Sequence, residues 1–509
     1  MMNPATPRGP GMLPGQRSYG NSRGKGIALL ALFLFFAVFF GLLVTTENFV
    51  LIGIGVALVL GPVLLLLPNM TMWVILIVGL LFGVLTGSPQ FSKLTWVVSL
   101  LGILLLLPSM TNLLWSDQRK LPGFMLVALL FLFYSLMVTA LRWYSLEEFM
   151  AGFKRYFQTF GVMLALTLVV FKPQDYQRWL KFLLVIGLLQ LPFALYELLV
   201  LVPLRGGLAA GSDSTDVIAG TFGANLEGGS PNSVMVMCIF MVMAFLGTRW
   251  RAGLMSSKLF YALGLICMIP LGMGETKIAV ILLPMVAIGV LRKDLMRAPL
   301  RYLPTLAAIG IITAVLGYLY VVVMMNSTLS DVIDLTIRYN AGNQGYSKAQ
   351  SLNRITSVTF WFQQQRWDDI VSFLIGHGIG SSYTSATMVG HMGMRYLTYG
   401  INLTTASTLL WDTGILGLGL YLGVFVMAWT AAGRLLNAAR DATVKADALA
   451  IQATIPMFML SFIYSNSLVE LVSFELMVSL LLGYLGYLIN QQRLAAPQPA
   501  GAAVLTAHA

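Results

Sequence analysis

Long apolar runs separated by short polar stretches fill most of the chain, from about residue 26 to residue 490. Many of these runs approach 20 residues, which is about the length of helix that crosses the hydrocarbon core of a bilayer. A transmembrane barrel would instead show short segments of alternating hydrophobicity, and no such alternation is present. The pattern predicts an all-α polytopic membrane protein with about 12–14 transmembrane helices.

Two long polar stretches interrupt the apolar pattern and divide the chain into regions. Residues 26–324 are predicted to form a transmembrane bundle that contains a polar loop at 203–231. Residues 325–404 are predicted to form one large, partly helical loop, and residues 405–490 the last three transmembrane helices. The Pro/Gly/Arg-rich start, residues 1–25, and the Ala/Pro-rich tail, residues 491–509, have compositions typical of disorder.

Composition and charge support a membrane location and set an orientation. Charged residues make up only 10% of the chain and mean hydropathy is +0.82, whereas soluble domains are roughly 25% charged. The net charge of +11 therefore points to cytoplasmic loops and anionic lipid rather than to nucleic acid. The distribution of Lys and Arg predicts cytoplasmic N- and C-termini and a periplasmic loop 325–404. Cys238 and Cys267 fall inside predicted spans and imply no disulfide framework.

Basic residues are nevertheless retained in the large outer loop, which suggests either an anionic ligand or plain solvated charge. A helix over 351–374 would place Arg354 and Trp361 on one face. Arginine offers a planar fork suited to phosphate, and tryptophan offers a flat surface for a sugar. The alternative is an interfacial helix in which tryptophan anchors the membrane surface. A further short amphipathic helix is predicted over residues 142–156.

Two of the three histidines lie in this loop. His377 is flanked by Gly376 and Gly378, in a segment that lacks the Lys-Ser/Thr pair of a phosphate loop. We expect His377 to be a structural histidine and His391 to be the better candidate for a general base near neutral pH. Arg395 would share a face with His391 if that segment is helical, and a nearby cation favours the neutral imidazole. No metal-binding pattern and no cofactor motif is present.

Several short motifs in the chain resemble those of a known protein family. They are Arg354 with Trp361, Gly376-His377-Gly378-Ile379-Gly380-Ser381, Gly414-Ile415-Leu416-Gly417, Gly220-Thr221-Phe222 followed by Pro231-Asn232, and Met273-Gly274-Glu275-Thr276-Lys277. Their order and the predicted topology resemble the O-antigen ligase and O-antigen polymerase superfamily of bacterial inner-membrane glycosyltransferases. The resemblance is spread over about residues 140–490.

The chain departs from that family in three places. The family usually has an arginine shortly before Gly-Thr-Phe, and Arg205 is the nearest candidate here. A Ser-Arg pair is replaced by Thr276 and Lys277, which keeps the charge and loses the fork. Ligases place their histidine where Leu403 stands, and His391 lies further upstream. Either an insertion still brings His391 to the site, or the protein does not use a ligase histidine, which favours a polymerase.

The resemblance implies a metal-independent glycosyltransferase of the bacterial inner membrane, with its active site facing the periplasm. The donor would be a glycan on undecaprenyl pyrophosphate and the acceptor a sugar on a second repeat unit, giving O-antigen, capsule or exopolysaccharide. Transfer to lipid A core by a ligase is the alternative, and a flippase for the same lipid-linked sugar is a rival of another class. Flippase and chain-length regulator proteins are expected partners, besides membrane lipids.

Candidate residues follow from the charge of the departing pyrophosphate, which cationic side chains must stabilise without a metal. We assign catalytic roles to Arg354, His391 and Arg338. We assign substrate binding to the remaining basic and aromatic candidates: Arg205, Lys277, Trp361, Arg366, His377 and Arg395.

Overall fold

The structure is a computed structural model, and it divides into two units by its internal contacts, Met1–Leu67 and Pro68–Ala509. Of the first unit only residues 61 and 63–67 are described, and residues 63–66 are helical. The predicted N-terminal region 1–25 and the first predicted spans therefore lie outside the described residues, as does residue 496 onward of the tail. In the second unit the described ranges are 68–83, 95–115, 119–207, 212–227, 231–274, 277–319, 321–322, 328–342, 352–365, 369–385 and 388–495.

Apart from one isolated bridge between Thr384 and Val389, the regular structure of the described residues is helical. The principal helices are Pro68–Leu81, Thr95–Leu104, Leu106–Trp115, Gly123–Leu141, Leu146–Phe157, Phe160–Leu168, Pro173–Tyr196, Asn232–Arg251, Ser257–Met268, Lys277–Arg297, Pro299–Leu319, Leu329–Ala341, Arg354–Gln364, Ile370–Ile375, His391–Arg395, Thr405–Ala438, Ala442–Tyr464, Ser467–Glu470 and Val472–Leu494.

Among the described residues, seven helices are long and apolar enough to cross a membrane. The last three, Thr405–Ala438, Ala442–Tyr464 and Val472–Leu494, follow the large loop as predicted. The all-α polytopic class is therefore confirmed. Phe160–Leu168 lies within the apolar stretch 157–171, yet nine residues rise only about 14 Å and cannot cross a bilayer alone. All nine residues are buried, so their apolar character reflects packing inside the bundle.

Polar contacts differ between the two ends of the bundle: at one end they join helices to each other, and at the other they join helices to the large loop. At one end, Arg249 forms a bidentate pair with Asp447, with both N–O distances at 2.8–2.9 Å. Tyr484 donates to the same carboxylate at 2.7 Å. At the other end, Thr139 and Arg142 contact the large loop through the amide of Ile379 and the hydroxyl of Ser372. The loop therefore caps one end of the bundle.

The large loop contains four helices in its described parts, Leu329–Ala341, Arg354–Gln364, Ile370–Ile375 and His391–Arg395. The single helix expected over 351–374 is wrong, because the chain breaks at Gln365, whose backbone is extended. Asn353 caps the first of the two helices, accepting from the amides of Ile355 and Thr356 in a capping box.

A hydrophobic core holds the loop together. Trp361, Met392, Ile401, Leu410 and Trp411 are buried in one cluster. Two of these residues begin the long helix Thr405–Ala438, so the core joins the loop to the membrane-spanning part of the chain. The loop is consequently an extension of the bundle's packing rather than a separate domain.

The Gly-Thr-Phe stretch at 220–222 is also built into the bundle. The buried carboxylate of Glu197 accepts the amides of Ala219 and Gly220 at 2.9 and 2.8 Å. Gln190 exchanges two hydrogen bonds with Thr221. Gly220 has φ +63°, and a Cβ there would lie 2.0 Å from the Gln190 side-chain oxygen. The stretch is therefore a structural turn in which the positive φ of Gly220 favours glycine.

The predicted orientation leads to a labelling test. With Cys238 and Cys267 replaced by alanine, we expect a cysteine at Thr398, which is exposed in the loop, to react with an impermeant thiol reagent in cells permeable only at the outer membrane. A cysteine at Ala442, exposed at the opposite end, should react only after the inner membrane is opened. The reverse pattern would place the loop in the cytoplasm.

Candidate functional site

A buried carboxylate connects the loop to the bundle. Asp412, fully buried in the first turns of Thr405–Ala438, accepts hydrogen bonds on both oxygens. The amide of Gly380 and the hydroxyl of Tyr156 each donate at 3.0 Å, and the hydroxyl of Ser381 and the amide of Ser382 each donate at 2.8 Å. Three of these donors belong to residues 376–382, here called the glycine segment, and they hold that segment against the helix.

Close backbone contacts explain the glycines of this segment. Gly376 has φ +72°, and a Cβ there would lie 2.6 Å from the backbone nitrogen of Gly414. Gly380 has φ +88°, and a Cβ there would lie 2.4 Å from the carbonyl oxygen of Glu148. Both conformation and space exclude a side chain at these positions. The glycine segment therefore runs tightly between two helices.

The second of these helices, Leu146–Phe157, is called the platform helix below. The amphipathic helix predicted over 142–156 is thus present, and Ser145 caps it by accepting the amide of Glu148. Glu148, Gly152 and Tyr156 repeat every four residues on one face. The backbone at Glu148 and Gly152 lies against the glycine segment, and Tyr156 donates to Asp412. One face of the platform helix consequently positions both a carboxylate and the backbone of the loop.

That carboxylate orients His391. The Nδ1 atom of His391 lies 2.9 and 3.0 Å from the two oxygens of Glu148, and the backbone amide of His391 donates to the same group at 2.9 Å. Because a carboxylate only accepts, the ring proton lies on Nδ1, and the neutral imidazole keeps its lone pair on Nε2. Tyr144 stacks on the imidazole with ring centres 4.7 Å apart. The ring is therefore fixed in position and tautomer.

His377 lies beside this pair, with its ring centre 6.1 Å from that of His391. Burial is the main cause that lowers the pKa of His377 to about 4, and the positive charge of Arg142 acts in the same direction. Its backbone amide donates to the carbonyl of Trp411 at 3.0 Å. His377 is therefore neutral near pH 7, and its backbone contact agrees with the structural role expected from its glycine neighbours.

Arg354 makes its contacts at the base of the loop. Its Nε donates to the carbonyl of Tyr464 at 2.6 Å, its Nη1 donates to Asn340, and its guanidinium lies 4.3 Å over the Tyr464 ring. Arg338 belongs to the helix Leu329–Ala341, which packs beside Arg354–Gln364, and its side chain is exposed. The structure thus places Arg354 and Arg338 on neighbouring helices.

Trp361 does not present a flat surface to a ligand. It is 0% exposed and stacks on Phe373 with ring centres 5.3 Å apart, because it forms the centre of the loop core. Arg395 is exposed and lies 5.4 Å over Tyr396, so the ionisable partner in contact with His391 is Glu148 rather than this cation. We expected Arg395 to favour the neutral imidazole of His391. In the structure, the side chain in contact with the imidazole is instead the Glu148 carboxylate.

The remaining candidates do not join the two histidines by any described contact. Arg205 ends a short helix after Pro173–Tyr196, and its Nη1 is buried without a hydrogen-bond partner in the described part of the chain. Lys277 begins the helix Lys277–Arg297, and its side chain lies outside what the structure describes. Arg366 lies outside the described residues altogether.

Sequence reasoning missed the two carboxylates of this site. Asp412 was detectable, because an ionisable residue within an apolar span is costly unless it is paired or functional. Glu148 was harder to distinguish from its neighbour Glu147, which is exposed. The spacing of Glu148, Gly152 and Tyr156 along one face was the available signal.

Comparison with known proteins gives no further assignment, since the sequence matches no family model and no curated protein. Within the described ranges, no group of three or more His, Cys, Asp or Glu side chains is arranged to hold a metal ion. The site is thus characterised by its own geometry: an oriented histidine, a second neutral histidine and nearby arginines.

The contacts of Asp412 generate a stability prediction. In Asp412→Asn one carboxylate oxygen becomes an amide donor that faces two other donors, which should cost about 3 kcal/mol. We expect a clear fall in melting temperature and faster proteolysis within 376–400. Asp441→Asn is the control, because this exposed N-cap accepts from the amide of Thr443 and asparagine caps equally well. Equal behaviour of the two variants would remove Asp412 from this role.

Proposed function

We propose that the protein is a membrane glycosyltransferase that polymerises oligosaccharide repeat units carried on undecaprenyl pyrophosphate. The observation that carries the proposal is the imidazole of His391, fixed by the buried Glu148 at 2.9 Å where the loop meets the bundle. A histidine held by a carboxylate is an arrangement suited to general-base chemistry. The motif order described for the ligase and polymerase superfamily supplies the substrate class.

The proposed reaction forms a glycosidic bond, breaks the bond between the donor sugar and pyrophosphate, and moves one proton from the acceptor hydroxyl to the protein. A hydroxyl of the acceptor sugar attacks the anomeric carbon of the donor, and Nε2 of His391 takes the hydroxyl proton. The bond between the anomeric carbon and the pyrophosphate oxygen breaks, and its electron pair leaves with the pyrophosphate. The Glu148 carboxylate stabilises the imidazolium that forms.

The departing negative charge requires cations. Arg142 is near enough to His377 to interact with it electrostatically, and its Nη2 donates to the Ser372 hydroxyl at 3.1 Å. Arg354 and Arg338, at the base of the loop, are also proposed to stabilise the departing pyrophosphate. Arg205, Lys277, Arg366 and Arg395 remain proposed contacts to the anionic carrier.

A ligase is the second candidate, and one observation favours it. His391 contacts the platform helix and lies near His377 of the glycine segment, so a position further upstream in the sequence still reaches the loop's polar centre. This is the geometry expected if an insertion lies between His391 and Leu403, the position at which ligases place their histidine.

Deletion of the gene in its host, followed by electrophoresis of surface polysaccharide, tests the proposal. Single repeat units on lipid A core, or loss of capsule or exopolysaccharide polymer, are expected for a polymerase. Free lipid-linked polymer would indicate a ligase. Single repeat units retained on the cytoplasmic face would indicate a flippase, and an unchanged pattern would contradict all three.

The contact between His391 and Glu148 leads to a prediction about the rate of polymer synthesis. We expect His391→Gln to lower polymer output by roughly 10²–10⁴-fold, because the base is lost. Glu148→Gln should lower it by roughly 10²-fold or more, because an amide no longer fixes the tautomer. The measurement is polymer per unit of enzyme in membranes with matched expression.

Two variants serve as controls. Glu147→Gln changes the exposed neighbour of Glu148 in the same helical turn and should keep full output. His377→Gln should reduce output less than His391→Gln. Full polymer from Glu148→Gln, or a larger loss from His377→Gln, would contradict the assignment of the base.

A further inference from the structure

Arg155 is a buried cation on the platform helix. Its side chain is 9% exposed, and the guanidinium carbon lies 3.9 Å from the centre of the Tyr383 ring. Its Nη2 lies 2.9 Å from Oε1 of Glu470, whose side chain is 29% exposed. The guanidinium therefore contacts an aromatic ring and one partly exposed carboxylate, and it is near enough to the buried Glu475 to interact with it electrostatically.

Two of the three nitrogens of this guanidinium have no hydrogen-bond partner among the described residues. Nη2 is close to Glu470 but not aligned for a hydrogen bond, and within the described residues neither Nη2 nor Nε has a hydrogen-bond partner although both are buried. Buried N–H groups almost always have acceptors, and burying a charged group without them is costly. The arrangement calls for an acceptor that the described part of the chain does not provide.

The arginine–carboxylate pair of Arg249 and Asp447 shows that this fold can satisfy such a group. Arg249 donates from Nε and Nη2 to the two oxygens of Asp447 at 2.8 and 2.9 Å, and Asp447 is 0% exposed. Arg155 instead faces one oxygen of a carboxylate that reaches the surface. The two pairs differ in that only Glu470 is placed to move away and release its partner.

Arg155 also lies close to the proposed reaction centre. Arg155 and Glu148 are seven residues apart on one face of the platform helix, which is two turns or roughly 10 Å. Tyr383 follows directly on the glycine segment, whose Ser382 amide donates to Asp412. Glu470 follows Tyr464 in the chain, and the Tyr464 carbonyl accepts from Arg354.

We propose that Arg155 binds a phosphate group of a lipid-linked substrate, and that Glu470 occupies this position only while the site is empty. The planar fork of arginine matches two phosphate oxygens, which would satisfy the Nε and Nη2 donors together. Tyr383 holds the guanidinium plane, and Glu470 turns outward toward Asn466, which already donates to it. The identity of the ligand as a lipid pyrophosphate rests on the proposed function.

Binding of farnesyl pyrophosphate to the purified full chain in detergent tests the assignment without any transfer reaction. We expect the double variant Arg155→Gln/Glu470→Gln to bind at least about tenfold more weakly, because it loses a charge-assisted contact to the phosphate while both members of the Arg155–Glu470 ion pair are neutralised together. Glu470→Gln alone should bind as tightly as the native chain or more tightly. The matched control, Arg249→Gln/Asp447→Asn, should bind like the native chain.

The outcomes separate the possible ligands. Competition by inorganic pyrophosphate, together with no binding of farnesol, is expected if the phosphate group is recognised on a lipid. Inorganic pyrophosphate binding as tightly as the lipid would overturn the lipid source. Unchanged binding in the Arg155→Gln/Glu470→Gln variant, or equal loss in the control, would overturn the site. If binding behaves as expected while gene deletion leaves polysaccharide unchanged, the phosphate site stands and the proposed function fails.

Discussion

A single buried carboxylate governs how the loop and the bundle fit together. Asp412 lies in a region from which water is excluded, so its charge is tolerable only with hydrogen bonds to both oxygens. The donors come from Tyr156 of the platform helix and from the backbone and side chains of residues 380–382. Three separate parts of the chain must therefore meet at this point, and the glycines at 376 and 380 make that approach sterically possible.

The same constraint prepares the histidine site. Once the glycine segment is fixed against the platform helix, the backbone continues through Tyr383 and Gly390 to His391, and Gly390 donates back to the Tyr383 carbonyl at 2.8 Å. This return places the His391 imidazole on Glu148 of the same helix. A base whose partner, ring orientation and backbone are all fixed loses little freedom on reaction, which is the condition for effective catalysis.

Polar contacts inside the bundle determine where the platform helix ends. Between Phe157 and Phe160 the chain makes a turn at Gln158 and Thr159. Gln158 donates to Glu475 at 2.6 Å, and Thr159 shares a hydrogen bond with Ser479 at 2.9 Å. Both contacts join side chains of the turn to buried polar side chains of Val472–Leu494, so the polar groups at the break have partners inside the bundle. The break lets an amphipathic helix and a wholly buried one follow each other.

The apolar runs determined the helical membrane architecture, because a span needs a continuous stretch of apolar residues and that property is local in sequence. The glycines on either side of His377 likewise predicted close packing of the backbone in that segment. The partners of those residues were decided only in three dimensions. Glu147 and Glu148 are identical in sequence terms, yet one is exposed and the other binds a histidine 243 positions away. Trp361 looked like a sugar platform and is the centre of a core, because packing against Phe373 and the start of Thr405–Ala438 buries it completely. Long-range contacts of this kind depend on which helix faces which, and no local pattern encodes that choice.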